Sequence, residues 1–223
     1  MVKNRAVIKA EKRYVLVALG ISKTGKKQIL SFKQAESEAE VCWEGFLNDL
    51  YRRGLNGENL RLITTDGGAG LVAAVQMVSR YSGHQRCWVH KLRNIAANSK
   101  RRNQQACLYG AKQVYLSENA TQARNRFLAW REMWMSEEPK AVKCLEKDIE
   151  DMVEFFVTPK EYWETIRTTN PIERAFREVR RRIRTISCFT NRRSVDRMLF
   201  AIFTYQNRQW DAQRRKRHFT HKA

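Results

Sequence analysis

Short apolar and β-branched runs mark the first thirty residues: Ala6-Val7-Ile8, Tyr14 to Ile21, and Lys26 to Phe32 after a Lys-Thr-Gly-Lys turn. Runs of this kind joined by tight turns predict strands in hairpins, the edge of an antiparallel sheet. From Ser37 the period becomes helical, with Ala39, Trp43, Phe46, Leu47 and Leu50 on one face and a stop at Gly54. A crossover helix calls for a further strand. Leu60 to Thr64 supplies it, ending at Asp66, and Gly67-Gly68-Ala69-Gly70 leads into a helix whose apolar side is Leu71, Ala74, Val75 and Val78. Gln85 to Val89 is predicted as the last strand, and Lys91 to Ser99 as helix.

No strand pattern appears from about Arg101 to Ile166. Phe127, Trp130 and Trp134, then Val142, Leu145, Ile149, Met152, Val153 and Phe156, follow helical periods broken near Pro139 and Pro159. This predicts an all-helical insertion over 101–166, between a first part of the main domain over 1–100 and helices over 167–223 that complete it. The stretch from Thr168 to Phe189 carries the densest signal. Asn170 suits an N-cap and Pro171 the first helical position, while Ile172, Ala175, Phe176, Val179, Ile183 and Ile186 form a buried stripe. Between them stand Arg174, Arg177, Arg180, Arg181, Arg182 and Arg184, with one acid, Glu173, in the first turn. A last helix over Arg192 to Arg214 turns Val195, Met198, Leu199, Ile202, Phe203, Gln206 and Trp210 to related faces. The basic run from Gln213 to His218 reads equally as a solvated end or a phosphate contact.

Charge changes this picture of a plain α/β domain. Lys and Arg number 43 against 23 Asp and Glu, a net charge of +20, which points to nucleic acid or an anionic surface as partner. Val15 to Ile21 is far too short to span a bilayer, and Met1 to Tyr14 has no signal-peptide core, so the chain is expected in the cytosol. The five Cys (Cys42, Cys87, Cys107, Cys144, Cys188) are odd in number and scattered, and read as reduced thiols. Six Arg on one helix read either as a solvated face or as a phosphate-binding one. With few acids to pair them, self-repulsion favours a polyanion as partner.

Candidate chemistry lies in two acids and one Cys-His pair. Asp66 ends a strand where open sheets with parallel strands place their ligands, yet Asp-Gly also starts turns and an Asp there can cap the next helix. Glu173 forms a capping box with Asn170 and offsets the helix dipole; together with Asp66 it could also hold a divalent metal over a phosphodiester. Gly67 to Gly70 matches no nucleotide-binding fingerprint. Cys87-x-x-His90 lacks the further ligands of a structural zinc site, and reads as packing or as shaping the site beside Asp66.

Four stretches taken in order carry a resemblance: Tyr14 to Ile21, Thr65-Asp66-Gly67-Gly68-Ala69-Gly70-Leu71, Gln85-Arg86-Cys87-Trp88-Val89-His90-Lys91-Leu92-Arg93-Asn94, and Thr169-Asn170-Pro171-Ile172-Glu173-Arg174 running on to Arg180-Arg181-Arg182. The chain resembles the transposases of mutator-type insertion sequences. That resemblance implies a ribonuclease H-like mixed sheet with flanking helices and an all-helical insertion before the last catalytic acid. It also implies an Asp-Asp-Glu triad working with Mg²⁺ or Mn²⁺. Asp66 matches the second Asp and Glu173 the Glu, both as metal ligands. Cys87 and His90 match the family's Cys-His signature, and Arg180 the basic residue one face below the Glu. The family's first catalytic Asp lies upstream of the segment equivalent to Tyr14 to Ile21. This chain has no Asp before Asp49, and Glu11 sits in a turn unsuited to the role.

The expected function is therefore DNA transposition by metal-dependent strand cleavage and transfer, from a truncated copy lacking the first Asp and the reader of the element's terminal repeats. Expected partners are transposon ends and target DNA, with association into homo-oligomers or with full-length transposase, and with the nucleoid when DNA is bound. The alternative is a non-catalytic DNA-binding remnant that interferes with full-length enzyme. A structural nucleic-acid binder would need exposed aromatics for base stacking, whereas most aromatics here fall on core periods.

Overall fold

The computed structural model describes residues 13–184, 186, 189 and 191–220, with side chains described to residue 212. The expected strand at Ala6-Val7-Ile8, the turn holding Glu11, Cys188 and the side chains of the basic run 213–218 lie outside that range. Two compact units divide the chain, Met1–Cys42 with Ile172–Ala223, and Trp43–Pro171.

In the first unit, β1 (Tyr14–Ile21) and β2 (Lys27–Ala35) form an antiparallel ladder with Val17 opposite Phe32 and a register shift between Ala18 and Leu19. Two helices cover it. From α9 (Asn170–Ile183) come Ala175 and Val179, and from α10 (Arg192–Thr220) come Leu199, Ile202 and Phe203, which pack with Val17 and Ile29. The Asn207 amide matches the β2 backbone, accepting from the Ile29 N–H at 2.8 Å and donating to the Ile29 carbonyl at 3.1 Å. Gln34 Nε2 donates to Asp196 Oδ1 at 2.8 Å, fixing the other end of the helix against the strand.

In the second unit, β3 (Leu62–Thr65) and β4 (Gly83–Arg86) pair in parallel, Thr65 opposite Arg86. The connection is α2 (Ala69–Val78), and α1 (Glu40–Arg52) precedes β3 with Phe46 and Leu50 buried. Two strand boundaries differ from the sequence pattern. Leu60 is drawn into the turn before β3, its N–H donating to the Asn56 carbonyl at 2.8 Å. Gln85 to Val89 divides: the ladder ends when the Cys87 N–H meets the Thr65 carbonyl at 2.7 Å, and α3 (Trp88–Ala97) begins at once. Trp88 belongs to the helical core, its indole N–H donating to the Met152 carbonyl at 2.8 Å.

The rest of this unit is helical: α4 (Gln104–Tyr115), α5 (Ala120–Trp134), α6 (Pro139–Glu146), α7 (Ile149–Val153), two short 3₁₀ turns and α8 (Trp163–Ile166). Pro139 stands at the first turn of α6, where its missing N–H costs nothing. Trp88, Phe127, Trp130, Val142, Leu145, Met152, Val153 and Phe155 form one buried cluster. Gln85 is buried among them with both amide groups used, Oε1 accepting from the Phe155 N–H and Nε2 donating to the Met152 carbonyl. The architecture as a whole is mixed α/β.

Candidate active-site turn and nucleic-acid face

Asp66 follows directly on the last paired residue of β3 and is exposed. Its Oδ1 accepts from the Gly68 N–H at 3.0 Å, the Asx turn that Asp-Gly favours. Gly67 has φ +90°, a conformation that side-chain-bearing residues rarely adopt. Arg86, at the end of β4, donates from Nη2 to the Gly67 carbonyl at 3.1 Å and pairs through Nη1 with Asp148. Lys91, 4 % exposed, also pairs with Asp148 and donates to the Cys144 carbonyl at 2.9 Å. Burial pushes the Asp148 carboxyl up, but the Lys91 hydrogen bond and the charges of Lys91 and Arg86 outweigh it and hold it below the ordinary aspartate value.

Cys87 and His90 meet the chain just before the Arg-rich helix. The Thr169 N–H lies 3.2 Å and its Oγ1 3.3 Å from Cys87 Sγ, and the same Oγ1 lies 3.4 Å from His90 Nδ1. One residue on, the Trp88 N–H donates to the Arg167 carbonyl at 3.0 Å. The Cys-x-x-His pair thus holds the approach to α9. Among the described residues, no three of His, Cys, Asp and Glu are grouped so as to hold a metal ion.

On α9 and the turn residue that follows it, Arg174, Arg177, Arg180, Arg181, Arg182 and Arg184 are all exposed, because Ala175 and Val179 take the helix's other side into the core. Glu173, in the first turn, is half-buried and its Oε1 is shielded from solvent. The six cations are not equivalent. Glu178 accepts from Arg181 Nε and Nη2, both at 2.9 Å, and from Arg182 Nε at 2.6 Å. The hydrogen bonds from Arg181 and then Arg182 hold its carboxyl down at about 2. Among the described residues, Arg174, Arg177, Arg180 and Arg184 have no carboxylate at ion-pair distance. Asp66 belongs to the Trp43–Pro171 unit and Glu173 to the other.

The family described as Transposase, Mutator family matches residues 1–213. The chain is a Mutator-family transposase chain. It is 34 % identical over 196 residues to the transposase for insertion sequence element ISRM5 of Rhizobium meliloti, covering 88 % of this chain and 49 % of that protein. It is 32 % identical over 197 residues to the transposase for IST2 of Acidithiobacillus ferrooxidans, covering 66 % of it. To the transposase for IS406 of Burkholderia multivorans it is 34 % identical over 197 residues, covering 50 %. The chain thus spans between about half and two thirds of these relatives. No helix of its described residues is long and apolar enough to cross a membrane.

Five residues of this transposase chain escaped the sequence pattern. Glu178 had a local signal, since Arg181 and Arg182 stand three and four residues after it, the spacing of ion-paired helix neighbours. Arg86 and Lys91 stand in the Gln85–Asn94 motif and Thr169 at the start of the Thr169–Arg174 motif, but nothing local gives them partners. Asp148 lies in the helical region, in a stretch whose pattern read only as core spacing.

Proposed function

We propose that this chain is the catalytic region of an insertion-sequence transposase, a ribonuclease H-like fold with a helical insertion, acting on transposon ends and target DNA. Asp66 and Glu173 are its catalytic carboxylates, and Arg174, Arg177, Arg180, Arg181, Arg182 and Arg184 hold the DNA backbone. Cys87 and His90 shape the site by fixing Thr169 before α9. The protein works in the cytoplasm, on the nucleoid when DNA-bound, as an oligomer of itself or with full-length transposase. The observation that carries the reading is the exposed Asp66 at the carboxyl end of a parallel strand, in a chain that matches the Mutator family almost throughout. An acid used only for an Asx turn needs one oxygen, and Gly68 engages only Oδ1.

Asp66 and Glu173 offer the hard oxygen donors that Mg²⁺ and Mn²⁺ take. Such ions, when bound, activate the attacking oxygen and stabilise the leaving one. Two carboxylates are fewer than a two-metal centre takes, so cleavage needs a further acid beyond Asp66 and Glu173. With only these two carboxylates assigned, a second reading for the chain acting alone is a DNA-binding remnant that interferes with complete enzyme.

The test joins this chain to the amino-terminal region of its Rhizobium relative and supplies DNA bearing that element's ends, with Mg²⁺ or Mn²⁺. Asp66→Ala and Glu173→Gln are expected to abolish strand cleavage in the joined protein. Glu173→Gln keeps a side-chain acceptor for capping, so its stability cost is about 1 kcal/mol or less. Normal cleavage by Glu173→Gln with a large loss of stability returns Glu173 to a purely structural role. Cleavage by the joined protein but none by the 223-residue chain supports the remnant reading for the latter.

A further inference from the structure

The Asp66 turn has little of its own to hold it. Asp66 is exposed, Gly67 carries no side chain, and the ladder ends one residue earlier, at Thr65 opposite Arg86. What closes over the turn is Arg86. A Cβ built on Gly67 would stand 2.1 Å from Nη2, so the guanidinium lies directly on the glycine and donates to its carbonyl at 3.1 Å. The other arm of the fork pairs with Asp148, between α6 and α7 of the helical region. Asp148 is itself fixed by buried Lys91, which also holds the Cys144 carbonyl of α6. A planar fork with donors on two sides can span both partners at once, and a lysine ammonium at that position cannot.

We propose that Asp148 is a positioning residue for Asp66, acting through the Arg86 fork on the Gly67 carbonyl, so that the helical insertion sets the geometry of the cleavage site. The inference rests on the reading of Asp66 as a catalytic carboxylate. It gives the insertion a role in the reaction that packing alone would not.

Asp148→Asn leaves Arg86 and Lys91 facing each other without a full counter-charge and can unfold the unit, so Arg86→Lys and Asp148→Glu are the informative variants. Both keep the charge balance and break the fork's reach. Amide hydrogen exchange of the 223-residue chain is expected to show Gly68 exchanging faster in both variants, with the Cys87 amide, which closes the β3–β4 ladder, unchanged. In the joined protein described above, turnover is expected to fall about ten- to a hundredfold with KM for DNA unmoved, as for a reacting group displaced by about an ångström. Unchanged Gly68 exchange, or equal loosening at Gly68 and Cys87, overturns the inference and leaves Arg86 a structural residue. If Asp66→Ala cleaves normally, the catalytic assignment of Asp66 falls and the inference with it. Loss of cleavage in Asp66→Ala beside normal turnover in Arg86→Lys overturns the positioning role alone.

Discussion

At Gly67 the backbone takes φ +90° and the space where a Cβ would sit is filled by Nη2 of Arg86. These are separate costs. An L-residue held at positive φ loses roughly 1–2 kcal/mol, and displacing Arg86 also breaks its bond to the Gly67 carbonyl. Gly67→Ala should therefore destabilise the protein by more than about 1 kcal/mol in denaturant unfolding. Gly68→Ala makes the control, since Gly68 has φ −56° and a Cβ there would lie an ordinary 3.5 Å from Asp66 Oδ1; it should cost under about 1 kcal/mol. Equal costs at both glycines would mean that the turn tolerates rearrangement. The turn itself was legible from Asp-Gly-Gly after an apolar run, because turn chemistry is local. Its clamp was not, because Arg86 and Asp148 are far apart in sequence and each reads alone as an ordinary surface charge.

For α9 the sequence pattern placed both faces: the buried stripe at Ala175 and Val179 and the exposed arginines follow from helical spacing alone. The electrostatics of the exposed face turn on Glu178. Its carboxylate occupies Arg181 and Arg182, so a phosphate reaching either must displace it. Glu178→Gln should strengthen binding to duplex DNA of any sequence and steepen its salt dependence, since two more guanidiniums become available. With its folded pKa lowered to about 2, the carboxylate keeps its charge and its contribution to helix stability above the ordinary glutamate range. That contribution is lost only as the pH falls from about 4.5 through about 2. The gain from Glu178→Gln should accordingly be constant from pH 5 to 8. A gain that vanishes at the upper end of that range, or no gain at all, would show that Arg181 and Arg182 do not face DNA.

Over the whole molecule the positive charge is unevenly shared. The unit of residues 1–42 and 172–223 holds 24 Lys and Arg against 8 Asp and Glu, and residues 43–171 hold 19 against 15. The helical stretch 101–166 is close to neutral, with 10 against 11. Arginines there are also engaged: Arg124 forks onto Glu150, and Arg131 Nε donates to Glu146 Oε1 at 2.5 Å. Composition alone points to a polyanionic partner, but only the division into units locates the charge. The four arginines of α9 and the turn after it with no carboxylate at hand should each neutralise about one phosphate. Counterion release from four contacts weakens binding roughly a hundredfold between 50 and 200 mM salt. Changing Arg174 and Arg177 to Gln should lower the slope of log affinity against log salt by about 2, one per lost contact. The same change at Arg124 and Arg131 should leave the slope unmoved and cost only stability, because those guanidiniums tie α5 to its neighbours. Titrating one duplex at several salt concentrations against the four single variants and both pairs reads the two slopes directly. A slope that falls equally for both pairs would make the helical region a second DNA-binding surface.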